Sequence, residues 1–307
     1  MLVVRLELIL GACEQMKRFL AITIAACMLL AGCGGTPSTG SSSAVQQGSS
    51  NGASPEGEPL AGDTFTVGME CNYAPFNWTQ LEENETTVAL GDGVSYGDGY
   101  DVVMAKTIAD KLGKTLVIKK TAWDGLQPAL ASGEIDAIIA GMTANEERKE
   151  NADFTTPYYE SDMVIIIRGD DAELGAVTEI QQLSGKKVQG QKNTNYDTII
   201  DQIEGVQHMT PLDSYPLMVA ALKSGDVDAL TAELPVAKGV ISTNPDLKII
   251  QFEKGKGFTA DTSVSIAVNK GNTALLNAIQ EALDTIPEET RQQWMLEATE
   301  RQPATEE

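Results

Sequence analysis

The sequence predicts an α/β fold built as two similar lobes. Two observations carry this. Short β-type runs alternate with helical patterns, which favours a sheet flanked by helices. One helix–turn–strand unit also occurs twice: Ala129 to Ala140 reads ALASGEIDAIIA, and Ala221 to Ala232 reads ALKSGDVDALTA. Seven of these 12 positions are identical and three differences are conservative, at a spacing of 92 residues. Chance recurrence of a common unit is the alternative to two lobes of one architecture.

The elements follow in order. Phe65 to Met69 reads as the first strand. Tyr100 to Leu112 carries Met104, Ile108 and Leu112 at helical spacing and stops at Gly113. Thr115 to Ile118 is a strand, Leu126 to Ala131 a helix and Ala137 to Ala140 a strand. In each repeat a Ser-Gly pair closes the helix before the strand begins. Thr79 to Asp98 is a polar, turn-rich insertion. Within it Gly93-Val94-Ser95-Tyr96-Gly97 matches a nucleophile-elbow pattern. That motif needs a strand before its serine and a helix after it, and neither is evident.

Composition narrows the function. The 307 residues carry 22 basic and 44 acidic side chains, a net charge of −22. Nucleic acid and anionic lipid require a basic face, so neither is an expected partner. Four cysteines are too few for a disulfide framework, no spacing fits a zinc site, and His208 is the only histidine. No metal or other cofactor is expected. His208, in the run Val206 to Thr210, reads as a half-exposed strand residue, and Cys71 as a small residue near a cleft.

The N-terminus reads as a targeting segment. Met16-Lys17-Arg18 opens a basic stretch, and Phe19 to Leu30 is a run of 12 mostly apolar residues. That run is too short to span a bilayer comfortably. Together with Leu30-Ala31-Gly32-Cys33 it makes a secretory signal that resembles a bacterial lipobox. The resemblance implies cleavage after residue 32 and fatty acylation (palmitate) of Cys33. Residues 1–32 are therefore taken as a signal peptide with its true start at Met16. Residues 33–63, rich in Gly, Ser, Thr, Pro and Gln, are taken as the lipidated cysteine and a flexible tether.

Ligands of open α/β sheets bind beyond the C-terminal ends of strands, so the residues after each repeat are the candidates. After the first come Gly141, Thr143 and Arg148. Thr143 and Glu146 fit a capping box, which would start a helix there. Arg148 could then grip a carboxylate with two parallel bonds. After the second comes Glu233, which could pair with an ammonium. Read alone, Arg148 is better taken as a surface arginine on a plain capped helix, and Glu233 as a surface glutamate.

Several stretches resolve that ambiguity. Tyr73-Ala74-Pro75-Phe76, Gly99-Tyr100-Asp101-Val102, Trp123-Asp124-Gly125-Leu126, Leu130 to Gly141, Glu147-Arg148, Asp153 to Tyr159, Leu183 to Val188 and the repeat ending at Glu233 occur in this order. The chain thereby resembles the bacterial extracellular solute-binding proteins of polar amino acid ABC transporters (family 3), in lipoprotein form. The resemblance covers about residues 64–307. It implies a type II periplasmic-binding-protein-like fold, each lobe a mostly parallel sheet flanked by helices, joined by a two-strand hinge. Lobe 1 would comprise 64–162 plus 263–307, and lobe 2 163–262.

The same resemblance implies roles. Arg148 matches the arginine for a ligand α-carboxylate, Thr143 the hydroxyl beside it, and Gly141 a carbonyl for the α-ammonium. Glu233 stands where an aspartate for that ammonium is usual. Thr194 and Asn195 match a loop closing from the second lobe, with Asn193 in place of its glycine. Tyr73 and Trp123 match side-chain walls, core packing being the alternative. Glu70 matches a position often acidic where cationic or amide side chains bind. With Glu70 and Glu233 against Arg148, the surplus acid favours arginine or lysine over glutamine or cystine. The expected protein is no enzyme. It is a monomer on the extracytoplasmic face of the cell membrane, handing an amino acid to an ABC permease. A sensor without transport, or a dehydratase-like enzyme on the same fold, are the alternatives.

Overall fold

The computed structural model describes residues 60–303. The expected signal peptide, Cys33 and the tether up to residue 59 lie outside the described residues. Among the described residues no helix is long and apolar enough to cross a membrane.

Two five-stranded sheets organise the chain. The first has the order Thr115–Lys120, Thr64–Met69, Ala137–Ile138, Ala267–Asn269, Ala152–Phe154. The second has the order Gln207–His208, Lys187–Gln189, Ala229–Glu233, Met163–Arg168, Leu247–Gln251. In each, four strands run one way. The fourth in the order, Ala267–Asn269 or Met163–Arg168, pairs antiparallel with both neighbours. The two sheets thus share one topology, a mixed α/β fold in two lobes.

The repeated sequence unit explains why. Its strand is the central one in both sheets, and its helix ends each time in a left-handed glycine, Gly133 at φ 74° and Gly225 at φ 84°. Its aspartate does the same work twice. Asp136 accepts the backbone N–H of Thr66 at 2.7 Å, and Asp228 that of Lys187 at 2.9 Å. Each bond fastens the repeat to the strand beside it. The registers agree as well: Val67 lies opposite Ala137, and Val188 opposite Ala229.

Burial follows the strand pattern. Along Met163–Arg168, Val164 and Ile166 join one apolar cluster while Ile165 and Ile167 join another. A strand covered on both faces reads as a continuous apolar run, here Val-Ile-Ile-Ile. The chain passes between the sheets twice, from Phe154 to Met163 and from Gln251 to Ala267. The passing segments pair: Tyr158 N–H donates to Val264 O, and Val264 N–H to Tyr159 O, both at 2.9 Å.

The sequence-predicted elements recur with shifted ends. The helix expected from Leu126 starts at Trp123, and the Ala137 strand ends at Ile138. Thr79 to Asp98 is no loop. Its strands Val88–Ala89 and Tyr96–Asp98 join Asn72–Tyr73 and Asn77–Gln80 in a four-stranded antiparallel sheet. Ser95 precedes a strand there, so the elbow pattern has no structural counterpart. His208 is exposed on an edge strand, bonded to Asp197 at 2.9 Å and Asp201 at 2.8 Å.

If the repeat's aspartates brace both lobes alike, Asp136→Ala and Asp228→Ala should each cost about 1–2 kcal/mol, because each leaves a strand N–H without its acceptor. Urea denaturation of the two variants checks this. A loss at only one position would show that the repeat is similar in sequence but not in work.

Candidate functional site

The strand ends of both sheets converge on a small space of about 10 Å³, room for about one water. It is lined by Glu70, Tyr73, Trp123, Gly141, Thr143 and Arg148 from the first lobe, and by Gln191, Thr194, Asn195 and Tyr196 from the second. Eight of these are residues singled out from the sequence; Gln191 and Tyr196 are not. Glu233, the ninth candidate, does not line the space. It lies behind two of the tyrosines.

The first-lobe wall is built locally. Gly99, at φ 125°, brings the start of the helix Tyr100–Leu112 against the preceding loop; a Cβ there would meet Phe76 O at 2.3 Å. Tyr100 N–H then donates to Pro75 O at 3.0 Å and Asp101 N–H to Phe76 O at 2.8 Å. The loop that presents Tyr73 is therefore held by a helix N-terminus whose own donors it satisfies. Gly141 sits at φ 62°, and a Cβ would stand 2.9 Å from the Tyr73 ring, so this close approach also needs glycine.

Arg148 lies on the six-residue helix Glu146–Asn151. The expected capping box at Thr143 is not formed. Asn145 caps the helix instead, its side chain accepting Arg148 N–H at 2.9 Å. Thr143 stays outside the helix because its carbonyl is otherwise engaged, accepting Arg148 Nη1 at 2.8 Å. Arg148 Nη2 donates across the lobes to Asn193 O at 2.9 Å, and the guanidinium stands 5.2 Å from the Trp123 ring centre. The side chain is only 5% exposed, and burial lowers its pKa. Among the described residues no carboxylate forms an ion pair with it.

The two acids mirror this. Glu233 has no exposed surface. Its Oε1 accepts Tyr73 OH at 2.8 Å and also the Tyr196 hydroxyl, and its Oε2 accepts Ser161 OH at 3.0 Å. Burial outweighs these bonds and pushes its pKa up to about 7. Glu70 follows the first strand and accepts Gln191 Nε2 at 3.2 Å. Burial raises it to about 7 against the pull of that bond. Neither acid has a cationic partner among the ion pairs of the described residues.

Asn193 occupies the left-handed region at φ 57°, as asparagine tolerates. Its side chain donates to Asp124 Oδ1 at 2.6 Å, and Lys192 pairs with Asp124 Oδ2 at 2.7 Å. Asn145 Nδ2 donates to Asn195 at 2.9 Å, and Trp123 Nε1 to Asn193 O at 3.2 Å. The lobes are thus drawn together on a row of polar contacts.

Gln191, Tyr196 and Ser161 escaped the sequence reading. For Gln191 a signal existed. Val67 and Val188 hold equivalent register positions, so Glu70 is equivalent to Gln191, 121 residues on. The two equivalent positions meet each other across the cleft.

Two lobes of like topology closing charged strand ends over a small space define a solute-binding protein. A family model for bacterial extracellular solute-binding proteins, family 3, matches residues 65–297, and the chain belongs to that family. It is similar to a probable histidine-binding protein of Campylobacter jejuni, 34% identical over 64% of this chain and 71% of the relative. It is also similar to an L-cystine-binding protein of Escherichia coli, 30% identical over 72% of this chain and 76% of the relative. Among solved structures it resembles an amino acid ABC transporter substrate-binding protein of Streptococcus pneumoniae bound to L-arginine. The TM-score is 0.67 at 28% identity, covering 78% of this chain and 95% of that one.

The raised Glu233 pKa fixes a pH signature. A carboxyl whose folded value, about 7, exceeds its ordinary 4.5 stabilises the fold fully below pH 4.5 and loses that contribution as pH rises through 7. Glu233→Gln removes the term. Its urea midpoint relative to wild type should therefore climb between about pH 4.5 and 7, whatever constant offset the amide brings. A pH-independent difference would contradict a buried, titrating Glu233.

Proposed function

We propose that this chain is a lipid-anchored extracytoplasmic binding protein that captures a polar amino acid between its lobes and delivers it to an ABC importer. The observation that carries the reading is the set of buried ionisable groups without counter-ions among the described residues: Arg148 on one side, Glu70 and Glu233 on the other. Buried charges must be paired, and a zwitterion supplies both signs at once.

In this reading Arg148 takes the ligand α-carboxylate, with Thr143, Thr194 and Asn195 around it. Its two backbone bonds consume one N–H each from Nη1 and Nη2, and a guanidinium has five. Glu233 and the Gly141 carbonyl draw the α-ammonium. Tyr73 and Trp123 flank the side chain, and Glu70 faces its far end. A second acid in excess of Arg148 favours a cationic side chain, so arginine or lysine ranks above glutamine or cystine. The L-arginine complex of the pneumococcal relative agrees with this ranking. No turnover is expected, since the acids have roles as ligand counter-charges. Cys33, acylated after removal of residues 1–32, would tether the protein to the membrane, where the tether raises its local concentration at a permease.

A thermal-shift screen of the amino acids tests the site. A ligand at about 100 times its Kd adds about 2.7 kcal/mol of stability. Arg148→Ala should abolish the shift for every ligand, and Glu70→Gln should change which ligand wins. Because a bound cation holds Glu70 ionised, L-arginine affinity should also rise from pH 6 to 8 in wild type. Binding that survives Arg148→Ala would sink the assignment. Separately, Cys33→Ala should move the protein from the membrane to the soluble fraction on cell fractionation; an unchanged distribution argues against the anchor.

A further inference from the structure

One buried carboxylate has no part in the site as described so far. Asp101, in the first turn of the helix Tyr100–Leu112, has no exposed surface. Its Oδ1 accepts Tyr158 OH at 2.7 Å and its Oδ2 accepts Asn77 Nδ2 at 2.8 Å. Both partners pass the connection on. Asn77 Oδ1 accepts Cys71 N–H at 2.7 Å, next to Glu70 and two residues before Tyr73. The Tyr158 oxygen accepts Gly141 N–H at 3.0 Å, at the start of the stretch that leads to Thr143. Tyr158 itself belongs to the first passage between the lobes, where its N–H donates to Val264 O.

We propose that Asp101 is the positioning residue of the first-lobe half-site. Through Asn77 and Tyr158 it fixes the separation of the Glu70–Tyr73 and Gly141–Thr143 walls, and it ties both to the chain crossing. The inference rests on the functional reading above for its ligand. Its geometric part, two cavity walls referred to one carboxylate, stands on these four hydrogen bonds.

The physical reason is the fixed direction of the bonds. The ionised Asp101 only accepts, so the Tyr158 hydroxyl must donate to it and has its lone pairs left for Gly141 N–H. Likewise the Asn77 amide must turn its NH₂ to Asp101 and its oxygen to Cys71 N–H. One charge therefore sets the orientation of both relays, and each relay ends on backbone, which a side-chain rotation cannot evade. Burial pushes the Asp101 pKa up to about 7, and the bonds from Tyr158, Asn77 and the Gly141 backbone hold it from rising further.

Tyr158→Phe is the cleanest cut. It keeps the ring that stacks on Tyr100 at 5.8 Å but removes the hydroxyl that accepts Gly141 N–H at 3.0 Å. Isothermal titration with L-arginine should show roughly tenfold weaker binding, as expected for the loss of a charge-assisted relay. Hydrogen exchange at the Gly141 amide should speed up by at least about tenfold. Tyr100→Phe is the control for a merely structural role. It removes a bond from the same cluster, Tyr100 OH to Tyr158 O at 3.0 Å, without touching either relay, and should lower stability while leaving the L-arginine Kd near wild type. Asp101→Asn should reproduce the Tyr158→Phe defect, and the double variant should add little to it.

The proposal is overturned if Tyr158→Phe leaves both the L-arginine Kd and Gly141 exchange unchanged, or if Tyr100→Phe weakens binding as much. These results differ from failure of the functional reading, in which wild type binds neither L-arginine nor another amino acid. Gly141 exchange in the ligand-free chain then still decides whether Asp101 holds that wall.

Discussion

A buried guanidinium and two buried carboxyls, none paired with an opposite charge among the described residues, set the terms for everything else in this molecule. Removing each from water costs several kcal/mol, and the low dielectric of the site returns that cost only when an opposite charge arrives. Here the groups find partial relief. Arg148 leans on two backbone carbonyls and the Trp123 face, and Glu233 collects three hydroxyls. Both acids are still pushed up to about 7. Closing the lobes over these groups alone is thus opposed by the same charges that a zwitterion would stabilise. A ligand shifts a two-state equilibrium only by its differential affinity for the two states. In the structure second-lobe groups already meet first-lobe charges, Asn193 O at Arg148 and Gln191 at Glu70.

The twofold construction supplies the means. Each sheet ends its parallel strands in a loop, and the two sheets face one another with these ends opposed. Equivalent positions can then meet, as Glu70 and Gln191 do at 3.2 Å. Function comes from where the halves have diverged. By the spacing of the repeat, Gly141 corresponds to Glu233. One offers a backbone at a left-handed angle against a tyrosine ring, the other a buried acid. The conserved parts of the repeat, the Ser-Gly turn and the aspartate that grips the neighbouring strand, are scaffolding. The residue just past each repeat is free to specialise.

This division explains what could be read in the chain. Helix and strand order, the left-handed glycines and the paired lobes follow from local pattern and from one internal repeat. The repeat pointed to Arg148 and Glu233, but alone each reads as a surface residue, and their roles came through resemblance. What escaped depends on long-range pairing. Ser161 reaches Glu233 only because the chain crosses between sheets beside it, and no local pattern marks that. Tyr196 looks like core until the fold brings its hydroxyl and that of Tyr73 onto one oxygen of Glu233. Asn145 displaced Thr143 as cap because the carbonyl of Thr143 is drawn to Arg148, a contact that the three-residue spacing of a capping box does not contain. The insertion at 79–98 is polar because its strands lie on the surface, and its order comes from cross-strand pairs and from Asp98, which Arg301 grips through two bonds.

The exchange of the usual aspartate for Glu233 can be followed through its lone pairs. A carboxylate has about four acceptor directions, two on each oxygen. Oε1 spends both of its own on the Tyr73 and Tyr196 hydroxyls. Oε2 spends one on Ser161. A single direction on Oε2 is left. The three hydroxyls come from three places: the first-lobe wall, the second-lobe loop and the chain crossing. The longer side chain therefore makes the acid a junction of three parts of the chain, which an acid one methylene shorter would have less reach to do.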